Sequence, residues 1–350
     1  MTVTVTERTH IHADDADRAR VAERLDQRPL YVVGGRQRSD RSLLDNSDSW
    51  YGYGTGVILF VDGSSVVSAK EYVSRPGTHG PDDAILFKCA SRHGDSLLCC
   101  TQTEVIEYAV PRFDERAYVS LPIFNDVHHA VRTPDDTFLV AVSGLELVVE
   151  IRRDGSIVRE WNVAGEDTWA IHDRAVDYRQ GVNTKPHHSH PNHLFFIDQE
   201  PFVTRFETRD AISLADPQRR IDVGGERIHD GLVAGDRLLF TSVDGHVIEF
   251  ETTTLREIGR HRLARRADNR SNSVVLGWCR GLYVDGEHCW VGFSRIRPTK
   301  LRQTVSWIRT GGAEQAPTRI ARYRLSDWVC DAEIDLEPFG LNAVFTIAPA

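Results

Sequence analysis

Four segments of this chain open alike, and that shared register limits what it can fold into more than any other feature. They are Asp126-Val-His-His-Ala-Val, Pro191-Asn-His-Leu-Phe-Phe, Ile228-His-Asp-Gly-Leu-Val and Trp278-Cys-Arg-Gly-Leu-Tyr. Each runs on into an apolar strand, a tight polar turn and a second apolar strand. Laid over one another, they place His128, Asn192, His229 and Cys279 in one column and His129, His193, Asp230 and Arg280 in the next. Equivalent positions of a repeat that carry imidazole, amide and carboxylate groups point to one shared site at a symmetry axis.

From Gly54 onward the chain reads as short strands and turns. Asp-Gly pairs in Val61-Asp-Gly-Ser, Arg153-Asp-Gly-Ser, Val243-Asp-Gly-His and Val284-Asp-Gly-Glu sit between apolar runs and signal hairpins. Residues 128–163 and 229–264 both alternate strand and turn through four strands, the pattern of a β-propeller blade. Blades begin near His128, Asn192, His229 and Cys279, and residues 54–122 hold strands for about two more. The C-terminal run Leu341-Asn-Ala-Val-Phe-Thr-Ile has no blade of its own. It is expected to complete a blade begun at the N-terminus, which removes an open sheet edge. The expected fold is therefore all-β, a six-bladed propeller with seven blades as the alternative, over residues 31–350. Residues 1–30 read as an arm with a short helix, its acids in the first turn. The inserts at 164–188 and about 296–318 interrupt the repeat, and the first is expected to cover one face. Two packed sheets would also use many short strands, but the in-register column favours radial symmetry.

Bulk properties narrow the function. The chain has 350 residues, of which 41% are hydrophobic and 27% charged, as in soluble globular proteins. A formal charge of -9 lacks the basic footprint of a nucleic-acid binder. No apolar run approaches the roughly 20 residues of a spanning helix, and the N-terminus has no apolar signal core. A cytoplasmic protein with no membrane partner is the expectation. The six cysteines form no CxxC pair, consistent with free thiols. One Met beside many Arg, Asp, Ala and Val suggests a GC-rich bacterial source. The phosphate loop, the dinucleotide fingerprint, the GxSxG elbow and the His-Glu-x-x-His zinc motif are all missing.

The run from His129-Ala-Val-Arg-Thr-Pro-Asp-Asp to Glu150-Ile-Arg-Arg-Asp-Gly resembles a blade of the NHL-repeat, gluconolactonase and strictosidine-synthase-like propellers. That resemblance implies a propeller fold, with an inner strand leading through a Pro-Asp turn to a second strand. Gluconolactonase-like propellers hold a divalent metal on the axis with Glu, Asn and Asp, and carotenoid-cleaving propellers hold iron with four axial His. This chain instead puts His at the strand starts and offers three good His positions, so neither activity transfers.

In a propeller the first residues of the innermost strands converge at one mouth of the channel. Successive strand residues alternate, so one column should face the channel, and spacing leaves open which. His128, His129, His190, Asn192 and His229 are candidate metal ligands. His193, Asp230 and Arg280 are candidate acid, base and anion-binding groups, with Arg280 suited to a carboxylate or phosphate. The run Lys185-Pro-His-His-Ser-His-Pro-Asn-His brings four His to the same mouth. The competing reading is structural: inner-strand His and Asp bond the next blade and hold the ring together. Several such groups in register favour function. The expected cofactor is a divalent ion, with Zn, Fe, Mn, Mg and Ca undistinguished. The expected activity is a metal-dependent hydrolase, lyase or isomerase on a small oxygenated substrate, an anionic one included. A non-haem iron oxygenase using the same His set and a non-catalytic binding scaffold are the alternatives.

Overall fold

The structure, a computed structural model, describes residues 28–38, 52–81, 83–266, 276–295 and 316–350. The expected N-terminal helix and most of the insert at 296–318 lie outside these residues. Six four-stranded antiparallel sheets make up the fold. Five are built from consecutive strands whose innermost members are Cys89–His93, Val127–Arg132, Pro191–Ile197, Ile228–Ala234 and Trp278–Asp285. These are blades 2 to 6. Blade 1 combines Leu30–Gln37, Tyr53–Asp62 and Ser65–Tyr72 with the C-terminal strand Ala343–Pro349 as its innermost member. The ring is therefore closed by pairing the two ends of the chain, and the blade number is six.

Residues 54–122 divide differently from a two-blade reading. Tyr53–Asp62 and Ser65–Tyr72 belong to the closing blade, and Cys89–His93 to Asp114–Val119 form blade 2 alone. Each inner strand contacts the next around the axis, and the last returns to the first. The energy that holds the ring lies between blades. Every neighbouring pair encloses its own apolar cluster, such as Val127, Val140 and Val149 against Cys89 and Leu98, or Phe195 and Phe202 against Leu238 and Phe240. Full burial of such side chains stabilises by about 1.5–3 kcal/mol each.

The alternation expected for the inner strands is broken at the column itself. Pairing to the second strand shifts register between Val127 and His129, between Pro191 and His193, between His229 and Leu232, and between Cys279 and Leu282. These are β-bulges at equivalent places in four successive blades, and a bulge re-aims the side chains around it. Gly231 and Gly281, at φ 159° and 84°, follow the bulged Asp230 and Arg280. Side chains from both columns can therefore face one space.

The insert at 164–188 holds one helical turn, Thr168–Ile171, and otherwise runs as an ordered loop. Asn125 Nδ2 donates to Tyr178 O (2.8 Å) and Val182 O (3.1 Å), which clamps this loop at the mouth of blade 3. Among the described residues no helix is long and apolar enough to cross a membrane.

Candidate metal centre and channel-mouth cavity

A cavity of about 510 Å³ opens at the mouth where the repeats converge. His128, His190, His229 and Arg280 of the expected set line it, together with Asp126, His187 and Lys88. His129, Asn192, His193 and Asp230 are not on its lining. The bulges account for the mixed membership, with His128 and His229 drawn from one column and Arg280 from the other.

Three donors converge closely. The ligand atoms of Asp126, His187 and His190 all lie within 4.8 Å of one another. Only His190 of this trio was among the ligands expected from the strand starts. His187 comes from the His-rich run, and Asp126 sits two residues before His128, just outside the first column. His128 contributes a ring stacked edge-on to His190, with centroids 4.6 Å apart.

Hydrogen bonds assign the imidazole tautomers. Asn125 spends its amide N–H groups on two carbonyls, so its Oδ1 accepts from Thr184 Oγ1 at 3.2 Å. The Thr184 hydroxyl then accepts from His187 Nε2–H at 3.2 Å, which leaves Nδ1 as the lone pair. That Nδ1 accepts from His190 Nδ1–H at 2.7 Å, which puts the His190 lone pair on Nε2. Ser143 Oγ donates to Pro191 O and therefore accepts from His128 Nδ1–H at 2.9 Å, as Asp126 O does at 2.8 Å. The lone pair of His128 is thus on Nε2. Asn192 Nδ2 donates to Ile228 O and to His229 Nδ1, both at 2.9 Å, so His229 carries its proton on Nε2.

Burial keeps these rings neutral. It pushes His128 and His229 well below the usual imidazole range and His190 down to about 4. Burial alone would raise the Asp126 carboxyl, but the adjacent Lys88 ammonium holds it well below the usual carboxylate range. Neutral imidazoles beside an ionised carboxylate are the protonation states a divalent ion requires. Lys88 Nζ ion-pairs with Asp126 Oδ1, and the side chain of Lys88 is almost fully buried. Two imidazoles and a carboxylate fit a borderline metal such as zinc or iron better than calcium or magnesium.

The loop that carries two of the three donors is held by Glu146. Its carboxylate accepts from the backbone N–H of His188 (2.5 Å), Ser189 (3.1 Å) and His190 (2.8 Å), and from the Ser189 hydroxyl. Asp126, Glu146 and His190 all have left-handed backbones, at φ 53°, 56° and 55°. Left-handed non-glycine residues cost free energy and gather at functional sites.

Off the lining, His129 and Asp230 of the second column do a different task, shared by Cys89 on the inner strand of blade 2. Cys89 Sγ accepts from Ala130 N at 3.2 Å, His129 Nδ1 from Leu194 N at 3.3 Å and Asp230 from Gly281 N at 3.0 Å. Each is an inner-strand side chain taking the N–H of the next blade, so these groups tie the ring. Burial raises the Asp230 carboxyl to about 6, against the pull of Thr241, the Gly281 N–H and Arg280. His193 stacks on His129 with ring centroids 3.9 Å apart, and burial lowers it to about 3. Arg280 lies over the Phe345 ring at 4.1 Å, and burial lowers it only to about 10, so it stays charged at neutral pH. The aromatic residues Tyr53 and Trp278 also line the cavity.

No family model and no curated protein matches the chain. Solved structures do. A protein of unknown function from Bacteroides caccae is 13% identical over 91% of this chain and 98% of its own, with a TM-score of 0.56. A catalytically inactive virginiamycin B lyase from Staphylococcus aureus, solved with quinupristin, is 11% identical over 88% and 89%, with a TM-score of 0.48. The β-propeller domain of Myceliophteria thermophila Cps50 (Swd1) is 12% identical over 81% and 82%, also with a TM-score of 0.48. At this level of identity the likeness extends to the fold, and the chain is a six-bladed β-propeller.

Proposed function

We propose that the channel-mouth cavity is the active site of a metal-dependent enzyme acting on a small oxygenated molecule by hydrolysis, elimination or isomerisation. The observation that carries this reading is the convergence of the ligand atoms of Asp126, His187 and His190 within 4.8 Å. A divalent ion held there supplies Lewis acidity to a carbonyl or a water. The rest is the work of the chain. His128 presents Nε2 as an acceptor and can take a proton from a bound molecule, with Asp126 O and Ser143 Oγ holding Nδ1–H in place. His229 Nε2–H donates from another part of the wall. The loop clamped by Asn125 supplies part of the cavity wall through Tyr178 and residues 181–187.

Elemental analysis of protein purified without a His tag tests the reading, and about one metal equivalent per chain is expected. Asp126→Asn, His187→Ala and His190→Ala should each lower that content at least about tenfold. Unchanged metal in all three removes the site.

One observation favours a second reading. Two His and one carboxylate with open positions is also the ligand set of non-haem iron oxygenases. Iron in the purified protein, with dioxygen consumed during turnover, would select it over the hydrolase, lyase or isomerase. Protein that takes up no stoichiometric metal on reconstitution would instead be a binding scaffold.

A further inference from the structure

The charges around the cavity are matched before any ion enters it. Among the described residues, three acids line it, Asp83, Asp126 and Glu207, against four bases, Lys88, Lys185, Arg280 and Arg295. Each acid has a cation beside it. Lys88 Nζ ion-pairs with Asp126, Arg227 pairs with Glu207 at 2.9 Å, and the Arg38 guanidinium bonds the Asp83 backbone carbonyl at 2.9 Å. Two further bases have acids of their own: Arg295 pairs with Glu337, and the charge of Asp230 acts on Arg280. Burial keeps the rings of His128, His187, His190 and His229 neutral, so they contribute no charge.

Lys88 sets this metal site apart. Two imidazoles and one carboxylate ordinarily put one negative charge against a dication. Here an ammonium on Asp126 already cancels that charge. The Lys88 side chain is 2% exposed, and its backbone N–H donates to Cys100 O at 2.8 Å, which fixes the chain at that point. A dication among Asp126, His187 and His190 would therefore leave two positive charges with no counter-charge from the protein. Charge left uncompensated in a buried place is costly. The side chain of Asp126 is 24% exposed, so solvent screens part of the excess. A small oxyanion would relieve the rest, because it supplies negative charge and a ligand atom for an open coordination position together. A volume of about 510 Å³ has room for one beside the ion.

We infer that a divalent ion and a small oxyanion occupy this cavity as a pair, each raising the affinity of the other, and that Lys88 imposes this by cancelling the charge of Asp126. The substrate class of the proposed active site is then a carboxylate or a phosphate monoester, a conclusion that rests on the metal reading of that site.

The test measures the coupling. Chelator-treated protein is titrated with Zn²⁺ from a chelator-buffered supply at pH 7, alone and with an excess of acetate, methyl phosphate or acetamide. At least one of the two anions should tighten Zn²⁺ by about tenfold or more, and neutral acetamide should change it by less than about twofold. Which anion acts tells a carboxylate from a phosphate. Ligand NMR should show Zn²⁺ tightening that anion by the same factor, as linkage requires when both sit on the protein. Lys88→Met should bind Zn²⁺ at least about tenfold more tightly without anion and lose most of the coupling. Lys88→Arg, which keeps the charge, should retain it. Zn²⁺ binding that depends on Asp126, His187 and His190 but responds to neither anion overturns the inference and leaves the metal reading standing. Acetamide acting as strongly as the anions overturns it too, as does coupling undiminished in a folded Lys88→Met protein. Zn²⁺ bound under no condition removes the metal reading and the inference with it. The comparison of anions on the wild type needs no variant, so a Lys88→Met protein that fails to fold leaves the test intact, with Lys88→Gln in its place.

Discussion

At the scale of single residues, this site depends on where protons sit. Three chains of hydrogen bonds, each ending on backbone carbonyls, assign lone pairs to His187 Nδ1 and His128 Nε2 and a proton to His229 Nε2. Gly144 shows how tight this arrangement is, since a Cβ there would lie 1.9 Å from Asn125 Oδ1. Gly144→Ala should push Asn125 off the loop and lower metal content, measured by the same elemental analysis. Asp230 carries the clearest pH signature. Its folded pKa of about 6 lies above the ordinary 3.8, so the unfolded chain ionises first as pH rises. The stability contributed by the neutral carboxyl is complete below pH 3.8 and is lost as pH rises through about 6. The loss approaches about 3 kcal/mol at full ionisation. Urea unfolding of the wild type and Asp230→Asn between pH 4 and 7 should diverge in that sense, with the variant gaining relative stability toward neutral pH. Parallel curves would show that Asp230 is not the group responsible.

At the scale of elements, two devices place the donors. The bulges in the inner strands let side chains of both columns share one cavity. Their only local trace is the glycine after Asp230 and after Arg280, in His-Asp-Gly-Leu and Cys-Arg-Gly-Leu. Glycine inside a strand pattern was the available signal that strict alternation would fail there. The second device is the clamp of Glu146 on residues 188–190. Glu146 lies far from that loop in sequence, inside an apolar run that reads as strand and turn, and nothing local marks it as a partner. Glu146→Ala strands three backbone N–H groups and a hydroxyl. It should cost about 2–4 kcal/mol and lower metal affinity at least about tenfold, by denaturant unfolding and metal titration. Glu146→Gln, with one acceptor oxygen in place of two, should fall between.

At the scale of the whole molecule, the ring positions the site, because donors from blades 3 to 6 meet only when the circle closes. Closure depends on the contact of Leu30–Gln37 with Ala343–Pro349, which pair over most of their length. Gly34 is essential to it: a Cβ there would sit 1.7 Å from the Ala343 carbonyl oxygen. Gly34→Val should therefore block the final pairing and expose a strand edge, giving aggregation in size-exclusion chromatography. A soluble, monodisperse variant with native circular dichroism would show that closure tolerates the change. The interblade bonds of Cys89, His129 and Asp230 belong to this scale as well. They explain why polar side chains recur in register without all of them facing a ligand.

Read alone, the sequence determined the blade, the antiparallel four-strand order, the closing C-terminal strand and the mouth at which His residues gather. Those follow from a period-two apolar pattern and from turns, both local and both repeated along the chain. Only the tertiary structure decided which of those residues share the cavity. It drew Asp126 and His187 to His190 and put His128, His229 and Arg280 on the same lining, while His129 and Asp230 were committed to the ring. The physical reason is that a bulge, a left-handed residue or a distant carboxylate turns a side chain by an amount that no spacing along one strand encodes. Proximity across blades is set by the closed circle, and that exists only once all six interfaces have packed.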